Sequence, residues 1–385
     1  MSFRNHKHFV DAQGRIRDLS LVISRRPCFT PSLSYLAYLQ HFLHSFCCQS
    51  RTSLCKMRFD LDLSFGNTHK RSNWELLYPI VGALVALTVR NVCQKYIFTK
   101  IGVLLGLKQI QVKKPPHNPV LEKAYSTSKR WKLARVRGLA KQLDMSVEEV
   151  QRWVELRGAQ DKPSVLTRFC ESLWRGCYYG GAWTAAVTIV WDKPWFWDLD
   201  QCWTNWDQRG TSDVWWYVMC SWTFYWSELV VLHLNAKKKD FYPTLIHHVT
   251  SIILLYFAWN SNLSRIFMVG FVLIDCSDIP LEVSKMTLYL GHDKVSRVAY
   301  FTFVFVWIVT RLGYLPFWAV KSYVQDAPRI LPFLRDYSFY YIIMILIFVL
   351  LILNCIWTFF VLKVARDILF TEKPFRDSRS DSSDN

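Results

Sequence analysis

The sequence predicts an all-α polytopic membrane protein with about seven transmembrane helices and a small helical insert on the cytosolic side. Residues 337–362 form a run of 26 residues without a charge, long enough to cross a bilayer with some tilt. Residues 298–320 are interrupted only by Arg311, and residues 241–264 hold no charge when their histidines are neutral. These uninterrupted apolar runs indicate a membrane protein. The hydrophobic fraction of 51% alone does not, since a soluble protein can also reach it.

Seven candidate spans follow one another along the chain: residues 74–98, 169–190, 214–234, 241–259, 263–281, 298–320 and 337–362. The first span gives the weakest signal, because only 14 uncharged residues precede Arg90. A buried helix of a soluble protein would show the same pattern. Tryptophans crowd the segment between the second and third spans, as aromatic residues do at membrane interfaces.

Loop charges predict the orientation. Residues 108–162 carry 13 lysines or arginines, and Lys237, Lys238 and Lys239 lie in the next loop on that side. Residues 192–213 carry five aspartates and two cations. The positive-inside rule therefore places the Lys-rich side and the C-terminus in the cytosol, and the N-terminus in the lumen. The basic residues of the first 73 positions conflict with this orientation, although long segments translocate largely regardless of their charge.

The pattern divides the chain into five parts. These are a poorly defined N-terminal extension (1–73), a first transmembrane helix (74–98), an insert (108–165), a bundle of six helices (166–367) and a polar tail expected to be disordered (368–385). Within the insert, Ser146 and Glu149 have the spacing of a capping box. They predict the start of the second helix of a helix–turn–helix.

Paired ionisable residues stand inside two neighbouring spans. If the chain turns near Ser261, His247 lies 14 residues before the turn and Asp275 lies 14 after it. Both are then roughly 21 Å from the turn, at the same depth. His248 adjoins His247, and Asp278 shares a helix face with Asp275. Charged groups in membrane helices are costly and usually face a functional interior, so imidazole and carboxylate are expected to meet there. A hydrogen-bonded polar pair of purely structural value is the alternative for the histidines.

Other residues are candidates for binding. Arg311 could pair with either aspartate, or bind a phosphate or carbonyl oxygen of a substrate. The three lysines at 237–239 could attract phosphates, or could mark topology alone. Glu228 and His233 also lie in a span, but nothing in the sequence fixes their partners. The 11 cysteines lack the paired spacing of zinc ligands, so no metal site is predicted.

In their order and spacing these residues resemble the longevity-assurance motif of ceramide synthases, in the TLC (TRAM/Lag/CLN) superfamily. The motif covers the three lysines, the paired histidines, the paired aspartates and residues 281–286. Residues 169–175, 192–197 and 310–316 are similar as well. The insert resembles the truncated homeobox-like domain of many animal members. It lacks the asparagine and arginines with which homeodomains read bases, so DNA binding is doubtful.

The resemblance implies a six-helix TLC bundle in the endoplasmic reticulum membrane that transfers a fatty acyl group from acyl-CoA to a sphingoid base. The product would be ceramide or dihydroceramide, with acyl-CoA as co-substrate, no further cofactor, and a homo- or heterodimer left open. His247 and His248 would be catalytic together with Asp275 and Asp278, and Arg311 and the lysines at 237–239 would bind substrate.

Two chemical routes and three other classes remain open. A histidine oriented by a carboxylate can take a proton from the amine, or can attack the thioester and form an acyl-imidazole. A non-catalytic TLC relative that senses or transports lipids would be expected to lack the paired residues. The other two classes are a DNA-binding protein and a metal oxygenase. An oxygenase needs several spaced histidine clusters, and the sequence has one.

Overall fold

The computed structural model describes residues 73–108, 114–129, 131–161, 163–204, 206, 210–234 and 240–370, and the regular elements in these residues are helical. Lys237, Lys238 and Lys239 lie outside the described residues. So do nearly all of the N-terminal extension predicted at 1–73 and most of the tail predicted at 368–385.

Four helices are long and apolar enough to cross a membrane. They are α1 (Trp74–Leu104), α9 (Phe241–Asn260), α11 (Asp293–Ile330) and α12 (Ser338–Phe370). Three further helices coincide with predicted spans: α5 (Val165–Val190), α8 (Ser212–Leu234) and α10 (Ser264–Tyr289), which have 26, 23 and 26 residues. They are long enough to span but less apolar, because they carry most of the buried charges described below.

The remaining helices are shorter. Three form the insert: α2 (Pro119–Thr127), α3 (Leu133–Leu143) and α4 (Val147–Asp161). Two single-turn helices, α6 (Pro194–Trp197) and α7 (Asp200–Trp203), connect α5 to α8. The turn predicted near Ser261 is confirmed: α9 ends at Asn260, Asn262 has a φ of 55°, and α10 begins at Ser264.

Helix α10 is central to the bundle and packs mainly against α5 and α11. Helix α8 packs against α1 and α9, and α9 packs against α12. A shared apolar core joins α5, α8, α9 and α10, with Val190, Trp222, Leu255 and Met268 among its buried members. The charged faces of α5, α8 and α10 are therefore held against one another inside the bundle, away from lipid.

Much of α11 is a π-helix, over Ile308–Val320 and again over Ser322–Asp326. The π-helix has a wider hydrogen-bonding register than the α-helix and is often found at functional sites. Arg311 lies in the first of these segments and is 5% exposed. The unusual register thus coincides with the one arginine predicted within this span.

The insert is a three-helix unit with its own small core. Leu121, Val150 and Trp153 are buried, and the Trp153 indole donates a hydrogen bond of 2.8 Å to the Pro116 carbonyl. The predicted capping box is confirmed. The Ser146 amide donates to Glu149 Oε2 at 2.9 Å, and the Glu149 amide donates to Ser146 Oγ at 3.1 Å. The sequence pattern predicted helices α3 and α4 but did not predict helix α2.

An ionic network closes the insert and makes its stability depend on pH. Lys129 Nζ lies 2.6 Å from Asp161 Oδ2, and Arg157 Nη1 lies 2.7 Å from Asp161 Oδ1. Burial acts to raise the pKa of Asp161, but the hydrogen bonds from Lys129 and Arg157 outweigh it and hold that pKa below its ordinary value. A carboxylate with a lowered folded-state pKa stabilises the fold above its unfolded-state pKa.

We therefore expect the stabilising contribution of Asp161 to be present above about pH 4 and to be lost as the pH falls through the lowered folded-state pKa. Hydrogen exchange of the insert amides, corrected for intrinsic rates, should show this loss of protection. Asp161→Asn should remove the acid-dependent part of the loss. Asp144→Asn, at the left-handed end of α3, is the control and should retain it. An Asp161→Asn variant with the wild-type acid profile would contradict this assignment.

Candidate active site

Asp278 and Arg311 form a buried ion pair between α10 and α11. Their Oδ2 and Nη2 atoms are 2.7 Å apart, with side-chain exposures of 15% and 5%. Arg311 also donates from Nε to Ser277 Oγ at 3.0 Å and from Nη2 to the Ile274 carbonyl at 3.2 Å. Its guanidinium carbon lies 4.3 Å from the ring centroid of Trp307. Of the alternatives open for Arg311, the structure shows the pair with Asp278.

Asp275 lies one turn before Asp278 on α10 and is 3% exposed. The Tyr217 hydroxyl, from α8, donates a hydrogen bond of 3.4 Å to its Oδ2 atom. Asp275 is therefore buried and is bonded to a tyrosine of the neighbouring helix α8.

The two histidines lie on α9 and are half-buried. The His247 ring centroid is 5.2 Å from that of Trp357 on α12 and 6.0 Å from that of Tyr225 on α8. The His248 ring centroid is 5.8 Å from that of Tyr225, and His248 Nδ1 is buried without a hydrogen-bond partner among the described residues. The histidines therefore point in different directions but share Tyr225 as a neighbour.

Tyr225 also contacts the helix that carries the aspartates. Its ring centroid is 6.5 Å from that of Phe271 on α10, four residues before Asp275. Helices α8, α9, α10 and α11 together carry one set of polar groups. We call this set the reactive layer, and its members are Tyr217, Tyr225, His247, His248, Asp275, Asp278 and Arg311.

Sequence reasoning found five members of this layer and missed the two tyrosines. Tyrosine, tryptophan and phenylalanine make up 16% of the chain, so two aromatic residues in an aromatic-rich span carry no distinguishing signal. The spacing of Tyr225 three residues before Glu228 was a signal that could have been used, because such residues share a helix face.

The arrangement supports proton transfer and nucleophilic chemistry. The two imidazoles lie beside the ring of Tyr225 and can accept a proton or attack an electrophile, while α10 and α11 carry the buried carboxylates and the guanidinium. Arg311 already contacts Asp278, Ser277, the Ile274 carbonyl and the Trp307 ring. These contacts hold Asp278 in place and join α10 to α11.

Comparison with known proteins agrees with this architecture. Residues 168–363 match the TLC domain family, which covers the helices of the reactive layer. Ceramide synthase 5 of Mus musculus is 33% identical over 307 residues, which are 79% of this chain and 73% of that protein. Ceramide synthase 3 of Homo sapiens is 31% identical over 313 residues, which are 80% of each chain. Ceramide synthase hyl-1 of Caenorhabditis elegans is 30% identical over 240 residues, or 60% of this chain and 65% of that protein.

The fold and the reactive layer define a helical multi-pass membrane protein with its ionisable groups turned inward. The matched TLC domain and its relatives place it more closely. The chain belongs to the TLC domain family, within its ceramide synthases.

Proposed function

We propose that the protein is a ceramide synthase, which transfers a fatty acyl group from acyl-CoA to the primary amine of a sphingoid base. The products are ceramide or dihydroceramide and free CoA. The observation that carries the proposal is the reactive layer, where two histidines, two carboxylates and an arginine are gathered on membrane helices. Such groups are rarely buried in a membrane without a function. The relatives named as ceramide synthases support the same reaction.

In the proposed reaction a histidine acts as the base. The amine is mostly protonated at neutral pH and must lose a proton before it can attack the thioester carbonyl. A neutral imidazole can take that proton. We assign this role to His247, because its ring lies against both Tyr225 and Trp357. Asp275 and Asp278 would stabilise the imidazolium electrostatically, with Tyr217 and Arg311 holding the carboxylates in place.

The second route passes through a covalent intermediate. The imidazole would attack the thioester, CoA would leave as thiol, and the amine would then displace histidine from the acyl-imidazole. The same residues serve both routes. Incubation with acyl-CoA alone separates them, since only this route leaves an acyl group on the protein.

Several finer assignments belong to the same proposal. Seven helices would cross the endoplasmic reticulum membrane, with the C-terminus and the insert in the cytosol. Lys237, Lys238 and Lys239 would attract the phosphates of CoA, which serves as co-substrate without a further cofactor. The homeobox-like character of the insert and a homo- or heterodimer remain predictions from the sequence.

The test is a direct assay with the full chain purified in detergent or nanodiscs. Labelled palmitoyl-CoA and sphinganine should give dihydroceramide and CoA in equal amounts, and omission of sphinganine should prevent amide formation. A purified protein that binds both substrates but forms no amide would contradict the proposal. That result would favour the alternative, a non-catalytic TLC relative that senses or transports lipids.

A further inference from the structure

A second set of ionisable residues lies one helical turn from the reactive layer. We call it the charge layer, and its members are Arg175 on α5, Glu228 on α8, and Glu282 and Lys285 on α10. Glu228 follows Tyr225 by three residues, and Glu282 follows Asp278 by four. These spacings keep each pair on one helix face, with axial offsets of about 4.5 Å and about 6 Å.

Glu282 fixes the two cations of this layer. Its side chain is 3% exposed, and its Oε1 atom lies 3.2 Å from Arg175 Nε and 2.6 Å from Lys285 Nζ. Among the described hydrogen bonds, Arg175 uses its Nε group alone. The guanidinium is therefore held in place while its Nη groups remain as further donors.

Glu228 supplies a buried acceptor on the neighbouring helix α8. It is 9% exposed, and its Oε1 atom is buried without a hydrogen-bond partner among the described residues. Its strongest charge interaction is with Arg175, followed by that with Arg90 of α1. The described ion pair of Arg175, however, is with Glu282. A buried polar atom without a partner is costly, so a bound group that donated a hydrogen bond to Glu228 would be stabilised there.

The charge balance indicates what kind of group fits. The layer holds two cations and two carboxylates, and the neighbouring Arg90 and Glu171 add one charge of each sign. A phosphate would be opposed by the carboxylates, and an ammonium by the cations. A neutral group that offers both a donor and an acceptor, such as an amide, meets no net repulsion. The Nη groups of Arg175 can donate to its carbonyl, and Glu228 can accept from its N–H.

We infer that the charge layer binds the first amide of the pantetheine arm of acyl-CoA, with Arg175 donating to the amide carbonyl and Glu228 accepting its N–H. The inference rests on the proposed function and adds a binding subsite to it. Two methylenes separate the thioester sulfur from this amide, a span of roughly 4 to 5 Å by standard bond lengths. The offset between the two layers matches this span, so the amide would lie in the charge layer while the thioester lies in the reactive layer.

The test compares two competitors of acyl-CoA that differ in one group. One is S-hexadecyl-N-acetylcysteamine, a thioether that has no acyl group to transfer, and the other is its ester isostere, in which oxygen replaces the amide N–H. Each is measured as an inhibitor of ceramide formation from palmitoyl-CoA and sphinganine. For the wild type we expect the amide to bind about tenfold more tightly than the ester, since a hydrogen bond to a charged group is lost. In Glu228→Leu the two inhibition constants should become equal within about twofold.

The two competitors are compared within each variant, so a general loss of activity does not change the ratio of their inhibition constants. Glu228→Gln keeps a carbonyl acceptor and should retain a few-fold preference, which provides a second readout if the leucine variant folds poorly. Glu75→Leu is the matched control, because its Oε2 atom is also buried without a described partner but lies 15 residues before Arg90 on α1. It should keep the wild-type preference.

Equal binding of the two competitors by the wild type, or an undiminished preference in Glu228→Leu, would overturn the inference. Neither result would affect the proposed function, because ceramide formation by the wild type is measured in the same assay. A wild type that forms no ceramide would instead contradict the proposed function itself.

Discussion

Alanine in place of His247 is expected to lower the rate of ceramide formation by roughly two to four orders of magnitude, the usual contribution of a general base or nucleophile. The His247 ring lies against Trp357 and Tyr225, on the helix next to the one that carries Tyr217 and Tyr225. Adjacent residues of a helix point about 100° apart, so His248 cannot face the same groups equally. We expect a smaller loss for His248→Ala.

The measurement is the single-turnover rate of ceramide formation at saturating acyl-CoA, which separates chemistry from substrate binding. His233→Ala is the control, because His233 is exposed near the end of α8 and contacts the Leu229 carbonyl. It should retain wild-type rates. An undiminished rate in both His247→Ala and His248→Ala would remove the histidines from the reaction. A larger loss at His248 than at His247 would reverse their assignment.

Alanine in place of Arg311 is expected to give the largest loss of stability, about 3 to 5 kcal/mol. The change leaves the buried carboxylate of Asp278 without its guanidinium partner, and it removes the contacts of Arg311 with Ser277 and Trp307. Arg311→Lys keeps the charge but cannot reproduce the planar fork of donors, so we expect an intermediate effect. Ceramide formation should fall with both changes, because Asp278 lies in the reactive layer.

Thermal unfolding in detergent, followed by tryptophan fluorescence, measures these differences. Arg329→Ala is the matched control, because Arg329 pairs with Asp200 at 2.8 Å but both side chains are largely exposed, at 61% and 49%. An exposed pair contributes about 0 to 1 kcal/mol. The combination of Asp278→Asn with Arg311→Met removes both buried charges and should recover part of the lost stability. A midpoint for Arg311→Ala within the range of the Arg329→Ala control would show that the buried pair has no structural role.

The sequence predicted the α9–α10 hairpin well because its constraints are local. The turn at Ser261 and the apolar runs on either side fix the order and length of both helices. The equal depth of His247 and Asp275 remains a prediction from the helical rise. The capping box at Ser146 was equally readable, since both partners lie within four residues of each other. In each case the sequence separation that matters is short or is set by one turn.

Contacts between helices that are distant in the sequence could not be predicted in this way. The sequence left open whether Arg311 pairs with an aspartate or binds substrate, because the choice depends on how α11 lies against α10. The π-helical register of α11 also changes which residues face inward, and nothing in the sequence marks it. Glu228 had no visible partner for a similar reason. The charged groups that interact with it come from α1, α5 and α10, more than 50 residues away.

Photolabelling tests most directly whether the reactive layer is the place of acyl transfer. A palmitoyl-CoA that carries a diazirine on the third acyl carbon is irradiated with the purified protein, and the labelled peptides are identified by mass spectrometry. We expect labels on residues of α8, α9 and α10 that adjoin Tyr225, His247 and Asp275, and we expect unlabelled acyl-CoA to suppress them. Labels confined to the insert, or to lipid-facing residues of α12 such as Phe359, would contradict this account.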